Sequence, residues 1–405
     1  MKPLRVLYLH MIGPFGGASR SLFEAVRAFP EGAVQARFVT QRGSVTPYFA
    51  QLGEVESARG LCKFDHTQYS HYRRLRWLVV LRELAYLPFS WLALRHARRR
   101  WGEVDLIHLN EFTGLPVLWL AQRRFKAPAV VHVRSVAHDD TVMARTHWLH
   151  RALRRAAAVV AIDQNVRASL PADLPVEVIH NAFAPARAAG ADDAFEARLA
   201  GLRAESFKVG FVGNLLLVKG ILDLVEAARL LDARGVDVEF LIVGDDVQPS
   251  RGVKAALLKR LGLAQNMRAE VEAALRRHGL QGRFHMLGFT KEIARAYRRM
   301  DMLCFPSHYD APGRPIFEAA FFGVPSVVAV RAPRADTLVH GRTGLAVPPR
   351  EPAALADAIE RLARDRTATR RMGEAARAMA ESNFDVQRNA ARLLDLYRRV
   401  AGAAA

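Results

Sequence analysis

The sequence carries short, nearly continuous apolar runs that end in loops rich in glycine, proline or polar residues. In the first half of the chain they lie at Val6–His10, Ala36–Thr40, Val104–Leu109, Ala129–Val133, Val159–Ile162 and Val176–Ile179. In the second half they lie at Phe207–Val212, Phe240–Gly244, Arg283–Leu287 and Ser326–Val330, with a further run that starts at Met302. Runs of this length are typical of parallel strands that are buried on both faces.

The segments between many of these runs repeat apolar residues at helical spacing. The segment Gly220–Leu231, for example, places Leu224, Ala228 and Leu231 on one face and charged residues on the other. Strands that alternate with loops and helices predict an α/β fold with parallel sheets. In such folds ligands bind at the carboxyl ends of the strands.

The chain is long enough to form two separate cores, because it has 405 residues. The strand pattern starts afresh at Phe207, after a segment rich in Ala, Arg and Asp that has little periodicity. We therefore predict a first domain at residues 1–188 and a second domain at residues 206–383. The linker between them is predicted at residues 189–205 and includes a short helix.

The segment Arg73–Arg100 predicts a helix that is interrupted near Pro88. It is apolar and aromatic, but Arg82, Glu83 and Pro88 make it too interrupted to span a bilayer. Two interpretations remain open. The segment is either an interfacial element on anionic lipid or a buried domain helix whose arginines are solvated.

The net charge of +19 implies an acidic partner, such as nucleic acid, an anionic membrane or a phosphorylated substrate. The arginine excess is spread along the chain and no RRM, zinc-finger or P-loop pattern is present, so we do not expect nucleic acid as the partner. The two cysteines, Cys62 and Cys304, are far apart and are typical of reduced core residues in a cytosolic protein. The apolar run near the N-terminus contains His10 and lacks a cleavage site, which favours a first strand over a signal peptide.

The stretch Met302–Pro325 reads MLCFPSHYDAPGRPIFEAAFFGVP and combines a strand, a polar loop and a helix. Proline near the helix start and glycine at its end are the usual helix punctuation. Two carboxylates, Asp310 and Glu318, lie eight positions apart in this unit. A strand that ends in such a loop and helix offers backbone N–H groups to an anion.

This stretch resembles the donor-site signature of the retaining, nucleotide-sugar-dependent glycosyltransferases of group 1, also called family 4. In that signature two glutamates bracket a glycine-containing loop. Here Glu318 matches the second glutamate, Gly323 and Pro325 match the end, and Asp310 stands in place of the first glutamate. The resemblance implies the GT-B fold: two Rossmann-like, doubly wound α/β domains that face each other across a cleft. It also implies that a last helix, within residues 384–405, packs back on the first domain.

The resemblance implies a set of site residues in both halves of the chain. Lys219 and Gly220 match the family's Lys-Gly unit, while Asn214 replaces its usual arginine. Where the family commonly has a histidine, this chain has Arg134. The donor-binding residues are expected to be Gly16, Gly17, Asn214, Lys219, Gly288, Phe289, Gly313, Arg314, Pro315 and Glu318, and the acceptor-side candidates are Asn110 and His138.

The implied chemistry is transfer of a hexose from a nucleoside diphosphate sugar (enzyme class EC 2.4) with retention of anomeric configuration. Lys219 would neutralise the diphosphate leaving group, since charge develops there as the glycosidic bond breaks. Glu318 would accept hydrogen bonds from the ribose hydroxyls, and Asp310 would bind the sugar. With Arg134, these three are the predicted catalytic residues. No cofactor and no metal are expected, because the chain lacks an Asp-x-Asp cluster.

The acceptor is expected to be a glycan or a lipid-linked glycan. The enzyme is then cytoplasmic, with peripheral contact to the inner face of the cell membrane as the interfacial interpretation of residues 73–100. Rival predictions are a non-catalytic GT-B protein that binds sugar nucleotides or acts as a scaffold, and an epimerase or phosphorylase on the same fold. A nucleic-acid-binding protein would show affinity that falls steeply with salt.

Overall fold

The computed structural model describes residues 2–68, 76–138, 144–185, 193–246, 266–290 and 292–402. The chain divides into two compact units. The first comprises Met1–Ala184 together with Phe384–Ala405, and the second comprises Pro185–Asn383. Each unit is built around one parallel sheet.

The first unit contains a seven-stranded sheet in the order β3-β2-β1-β4-β5-β6-β7. The strands are β1 (Leu4–His10), β2 (Val34–Gln41), β3 (Gly53–Ala58), β4 (Leu106–Leu109), β5 (Ala129–Val133), β6 (Ala158–Ala161) and β7 (Val176–Val178). The N-terminal apolar run thus forms a central strand, which pairs with both β2 and β4. The strand order reverses between β1 and β4, and such a reversal opens a crevice at the carboxyl ends of the two strands.

Helices cover both faces of this first sheet. They are α1 (Gly17–Arg27), α2 (Thr46–Phe49), α3 (Arg76–Ala85), α4 (Leu87–Trp101), α5 (Leu115–Phe125), α6 (Ala144–Leu153) and α7 (Gln164–Ala168). One core joins the sheet to α4, α5 and α6 through residues such as Leu94, Leu118 and Leu149. A second core, on the opposite face, joins the sheet to α1 through Leu22 and Val26.

The second unit contains a six-stranded sheet in the order β10-β9-β8-β11-β12-β13. The strands are β8 (Phe207–Val212), β9 (Val238–Val243), β10 (Phe284–Gly288), β11 (Met302–Phe305), β12 (Ser326–Ala329) and β13 (Gly344–Val347). Here the order reverses between β8 and β11. The prediction of two Rossmann-like, doubly wound α/β domains is confirmed by these two parallel sheets.

The helices of the second unit are α8 (Asp193–Leu199), α9 (Ile221–Ala233), α10 (Met267–His278), α11 (Ile293–Tyr297), α12 (Arg314–Ala320), α13 (Pro352–Arg364) and α14 (Arg366–Asn383). Residues 193–199 fall within the predicted linker 189–205, of which residues 189–192 lie outside the described residues. In the structure, Phe195 and Leu199 of α8 are buried in the core of the second unit. The described part of that segment is therefore packed structure, because its two large apolar side chains fill a core.

The last helix, α15 (Val386–Gly402), packs on the sheet of the first unit. Leu393, Leu396 and Val400 join the core that contains α1. The Tyr397 hydroxyl lies 2.8 Å from Nδ1 of the buried His108 on β4. The apolar face of α15 is covered in this way by the first sheet.

The described part of the segment 73–100 forms two helices, in agreement with the interruption predicted near Pro88. Residues 73–75 lie outside the described residues, and α3 ends at Ala85 while α4 begins at Leu87. Pro88 lies in the first turn of α4, where a missing N–H costs no helical hydrogen bond. None of the described helices combines the length and the apolar character that crossing a bilayer requires.

Candidate functional site

The carboxyl ends of β8 and β11 bring two loops together in the second unit. The loop after β8 leads to Lys219, and the loop after β11 leads through Asp310 to Glu318 on α12. The backbone N–H of His308 donates to the Val218 carbonyl over 2.9 Å, and His308 Nε2 lies 2.7 Å from Asp223 Oδ2. Sequence reasoning missed this histidine–aspartate contact, which fastens one loop to the other.

Gly220 explains how closely the two loops approach. It has a φ of 72°, in the region that favours glycine, and a Cβ at this position would overlap the Pro306 carbonyl. Gly313 is required for a similar reason, because a Cβ there would lie 2.5 Å from the ring of Phe305. Both glycines allow the backbone to form a tight rim around Lys219.

Lys219 is a partly buried cation with aromatic neighbours. Its Nζ lies 5.0 Å from the ring centre of Tyr309 and 5.6 Å from that of Phe305. Within the part of the chain that the structure describes, Lys219 forms no ion pair, and burial lowers the pKa of its ammonium. A desolvated cation without a carboxylate partner favours binding of an anion, since an anion restores the missing charge partner.

Glu318 is buried and is held by two donors. The Tyr297 hydroxyl donates to Oε2 over 3.0 Å, and Arg314 Nε donates to Oε1 over 2.9 Å. Arg314 Nη2 also lies 2.9 Å from Oε1. Since each carboxylate oxygen accepts about two hydrogen bonds, Oε2 is the oxygen that keeps acceptor capacity for a ligand. Tyr297 was not predicted, because it lies 21 residues away from Glu318 in the sequence.

Asp310 adopts a left-handed backbone conformation with a φ of 49°. Its carboxylate accepts the Arg331 backbone N–H over 2.7 Å at Oδ1 and Arg331 Nη1 over 2.7 Å at Oδ2. Arg331 follows β12, which neighbours β11 in the sheet, so the two loops meet at the same edge. Sequence reasoning missed Arg331 as a partner of Asp310.

The remaining donor-side candidates lie at the ends of other strands or at the start of α12. Arg314 and Pro315 form the first turn of α12, and Asn214 is exposed directly after β8. Gly288 ends β10 with a φ of 70° and open space around it. Phe289 beside it is 74% exposed, which is unusual for a phenylalanine and leaves its ring available for stacking.

In the first unit, Arg134 is the centre of a hydrogen-bond network at the carboxyl ends of β4 and β5. Arg134 Nε donates to Asn110 Oδ1 over 2.6 Å, and Nη1 donates to Asn181 Oδ1 over 2.7 Å. Asn110 is itself buried, and its Nδ2 donates to His10 Nδ1 over 2.9 Å. Asn110 Nδ2 also donates to the Ala18 carbonyl over 3.2 Å, so both of its N–H groups are used. Asn110 therefore orients Arg134, which favours a positioning role over direct acceptor contact.

Glu111 is a buried carboxyl group beside this network. Its Oε2 accepts from the Ser135 hydroxyl over 2.7 Å, and its Oε1 accepts from the Phe112 N–H over 2.8 Å. Burial raises the pKa of Glu111 to about 7, although these hydrogen bonds oppose the shift. Burial and the charge of Arg134 lower the pKa of His10 to about 3, so that imidazole is neutral near pH 7.

His138 makes a separate set of contacts. Its ring stacks on His66 with centroids 5.4 Å apart, and its N–H donates to the His66 carbonyl over 3.0 Å. His66 Nε2 in turn lies 2.8 Å from Thr146 Oγ1. These contacts join the loop after β5 to α6, whereas the contacts of Arg134 join β5 to β4.

Gly16 and Gly17 lie at the start of α1, after the central strand β1. Both are exposed, and a Cβ on Gly16 would meet no atom of the protein within 4 Å. The fold itself therefore has no packing need for glycine at position 16, which suits the close approach of a ligand. In the described ranges no group of three or more His, Cys, Asp or Glu side chains is arranged to hold a metal ion.

Both halves of this chain match families of known proteins. Residues 194–379 match the family model of the glycosyl transferases group 1, and residues 15–187 match that of Glycosyltransferase Family 4. The 2-deoxystreptamine glucosyltransferase of Streptomyces kanamyceticus is 30% identical over 81% of this chain and 86% of its own length. The chain belongs to the group 1 glycosyltransferases.

Other similar proteins agree with this membership. The alpha-D-kanosaminyltransferase of Streptomyces kanamyceticus is 28% identical over 70% of this chain and 73% of its own length. The structure of HepE from Anabaena, solved in complex with UDP, covers 98% of this chain and 100% of its own at 22% identity and a TM-score of 0.74. Sucrose-phosphate synthase from Thermosynechococcus elongatus covers 99% and 100% at 21% identity and a TM-score of 0.71. These likenesses confirm the expected GT-B fold, and the chain is a glycosyltransferase.

Proposed function

We propose that this glycosyltransferase moves a hexose from a nucleoside diphosphate sugar to a glycan or lipid-linked acceptor, with retention of anomeric configuration and without a metal ion or cofactor. The observation that carries the proposal is Lys219. Its partly buried ammonium has no described carboxylate partner and lies where the strand order of the second sheet reverses. A diphosphate supplies the negative charge that this position lacks.

Each donor-side residue has a role that follows from its position. Lys219 stabilises the leaving diphosphate, and Glu318 accepts hydrogen bonds from the ribose hydroxyls, chiefly through Oε2. Phe289 stacks on the base, since its ring is exposed beside Gly288. Asp310 binds hydroxyls of the sugar, and Arg331 orients it.

In the proposed reaction the bond between the anomeric carbon and the diphosphate oxygen breaks while the acceptor hydroxyl attacks the same face. The hydroxyl proton passes to the departing diphosphate oxygen, so no enzyme nucleophile takes part. Lys219 acts most strongly after the bond begins to break, because the leaving oxygen gains charge at that stage. Asn214, at the end of β8, donates a hydrogen bond to the same diphosphate.

Uridine is the base that we favour, because HepE from Anabaena was solved with UDP and with UDP-glucose. For the acceptor, we propose a glycan of a cell-surface polysaccharide or its lipid-linked precursor. Arg134 in the first unit contributes a fixed cation on the acceptor side. The proposed location is the cytoplasm, with peripheral contact to the inner face of the membrane.

The test is a thermal-shift screen of the full chain against UDP, GDP, ADP and their glucose conjugates. Ligand bound only to the native state raises the free energy of unfolding with the logarithm of its excess over the dissociation constant, by about 2.7 kcal/mol at a hundredfold excess, and the melting midpoint rises with it. We expect one nucleotide to give a shift that is lost in Glu318→Ala and kept in Arg371→Ala, which removes an exposed charge of the same unit.

A shift with no nucleotide would contradict the donor assignment. A shift with UDP-glucose but no release of UDP in the presence of candidate acceptors would favour the alternative, a non-catalytic protein that binds sugar nucleotides.

A further inference from the structure

Large exposed apolar side chains concentrate on one part of the first unit. Of the twelve that are exposed among the described residues, nine lie on the consecutive helices α3 to α6. They are Leu78, Val80, Leu81, Leu84, Phe89, Trp91, Leu92, Trp119 and Trp148. Single exposed apolar residues are ordinary, whereas a concentration of this kind marks an interaction surface.

These residues share one side of the unit because the helices form a single layer. The inner sides of α4, α5 and α6 pack on the first sheet through residues such as Leu94, Val117 and Leu153. Helix α3 contacts α4, and α4 contacts α5. The side of this layer that faces away from the sheet carries the exposed residues, and we call it the outer α3–α6 surface.

The charge of this surface is strongly one-sided. The described side chains of α3 to α6 include the arginines Arg82, Arg95, Arg98, Arg99, Arg100, Arg123, Arg124, Arg145 and Arg151. The one carboxylate among them, Glu83, is buried and paired with Arg82. At the end of α4, Arg98 and Arg100 pair with Glu103 and Glu54. Within the described ranges, Arg95, Arg99, Arg123 and Arg124 form no ion pair.

The arginines alternate with the exposed aromatic rings. The guanidinium carbon of Arg124 lies 4.9 Å and that of Arg95 5.2 Å from the ring centre of Trp91. The guanidinium carbon of Arg123 lies 3.2 Å from the ring centre of Trp119. Side chains of this kind keep their apolar parts at a hydrocarbon boundary while their charges reach the polar layer above it.

A groove of about 410 Å³ opens beside α5 and α6 on the same unit. Its lining includes Leu115, Leu118, Trp119, Trp148 and Ala152, with Arg155 as the charged group. The volume lies in the range of small-molecule sites, roughly 300–1,000 Å³. An apolar lining with one cation suits a hydrocarbon chain that ends in an anionic group.

We infer that the outer α3–α6 surface docks on a bilayer of anionic phospholipid, and that the groove holds one hydrocarbon chain of that bilayer. A bilayer presents anionic head groups to the arginines and hydrocarbon to the leucines and tryptophans. A second copy of the chain, docked symmetrically, would place arginines against arginines. Nucleic acid would meet the charge but would leave the leucines without an apolar partner. The inference rests on the membrane contact proposed above and specifies its surface and its lipid. The proposed donor site does not use this surface, so the test is independent of catalysis.

The test measures flotation of the full chain with vesicles of phosphatidylcholine alone and of phosphatidylcholine mixed equally with phosphatidylglycerol. We expect binding to the mixed vesicles that weakens with salt. The variant Arg95→Gln/Arg99→Gln/Arg123→Gln/Arg124→Gln should bind at least about 100-fold more weakly, because each arginine near an anionic surface contributes about fivefold. The matched control Arg276→Gln/Arg277→Gln/Arg370→Gln/Arg371→Gln has the same net charge and should bind like the parent protein.

Insertion is measured by quenching of tryptophan fluorescence with brominated acyl chains in the same vesicles. We expect quenching that falls when Trp119 and Trp148 are both changed to Phe, while flotation persists. Equal loss of binding in the two four-arginine variants would overturn the inference, since any basic surface would then suffice. Binding without quenching would overturn the groove assignment, and no binding to mixed vesicles would overturn the whole inference. Circular dichroism and the melting midpoint confirm that each variant is folded.

Discussion

The two sheets differ sharply in what occupies their carboxyl ends. At the carboxyl ends of β1, β4 and β5 in the first sheet, Arg134, Asn110 and His10 are joined by hydrogen bonds between protein groups. At the reversal point of the second sheet, Lys219 has only aromatic rings around its charge among the described residues. Amide oxygens of the protein already accept hydrogen bonds from Arg134, whereas the charge of Lys219 has no ion-pair partner among the described residues. We therefore expect the diphosphate of the donor to bind at the second unit.

The largest expected effect tests the charge of Lys219 in the second unit. Lys219→Ala removes the cation that balances charge on the leaving diphosphate, so kcat should fall by about 100-fold or more. Steady-state release of UDP from the donor, with acceptor present, measures this. Arg371→Ala should keep the parent rate. A Lys219→Ala variant with unchanged kcat would show that another group carries the leaving charge.

The next effect tests the first unit, through the pH dependence of the stability that Glu111 contributes. The folded-state pKa of Glu111 is raised to about 7, so its carboxyl group keeps a proton that the unfolded chain loses above its ordinary value of 4.5. The stability contributed by the protonated group is therefore full below pH 4.5 and is lost as the pH rises to about 7. The loss is about 3 kcal/mol, since one pKa unit corresponds to about 1.4 kcal/mol.

Glu111→Gln has no such proton to lose. Its melting midpoint should therefore rise relative to that of the parent protein between pH 4.5 and 7, by several degrees for a unit of this size. The control Glu31→Gln changes an exposed glutamate of the same unit and should show no comparable trend. A Glu111→Gln difference that stays flat with pH would contradict the raised pKa.

The smallest effect concerns the link between Arg331 and Asp310. Arg331→Ala leaves the backbone N–H of residue 331 to hold one carboxylate oxygen and frees the other. We expect kcat to fall about fivefold while the affinity for UDP stays the same, since a partly exposed ion pair contributes roughly 1 kcal/mol or less. Arg334→Ala, on the same exposed loop, should match the parent protein. Weaker UDP binding in Arg331→Ala would indicate that Arg331 contacts the nucleotide itself.

Sequence patterns predicted the strands that consist of a continuous, buried apolar run. The central strands β1, β5, β8 and β11 lie where such runs occur, and the break near Pro88 separates α3 from α4. The short edge strand β3 was missed, because its pattern is only half apolar and its burial is intermediate. A short helix was predicted within residues 189–205, but the burial of Phe195 and Leu199 on α8 was not, since it comes from distant parts of the second unit.

Some site residues could be predicted from a local motif and others could not. Lys219, Asp310 and Glu318 were found because a short motif contains each of them, and their roles remain predictions. Arg331, Glu111 and Tyr297 were missed, since each acts through a partner in a different segment. The spacing of residues along the chain does not indicate that two distant residues are partners. Asp310 meets Arg331 because the sheet order places β11 beside β12.

Local chemistry along the chain thus determined the parallel α/β class, the two-unit division and the motif around Glu318, because burial of apolar runs and turn residues are properties of neighbouring positions. Tertiary structure alone decided which charged side chains have partners. Arg134 is bound by Asn181 and Asp310 by Arg331, whereas Lys219 forms no ion pair with a described residue. The reason is physical, because an ion pair requires its two groups to lie within a few ångströms of each other. The order of strands in a sheet decides which distant segments come that close.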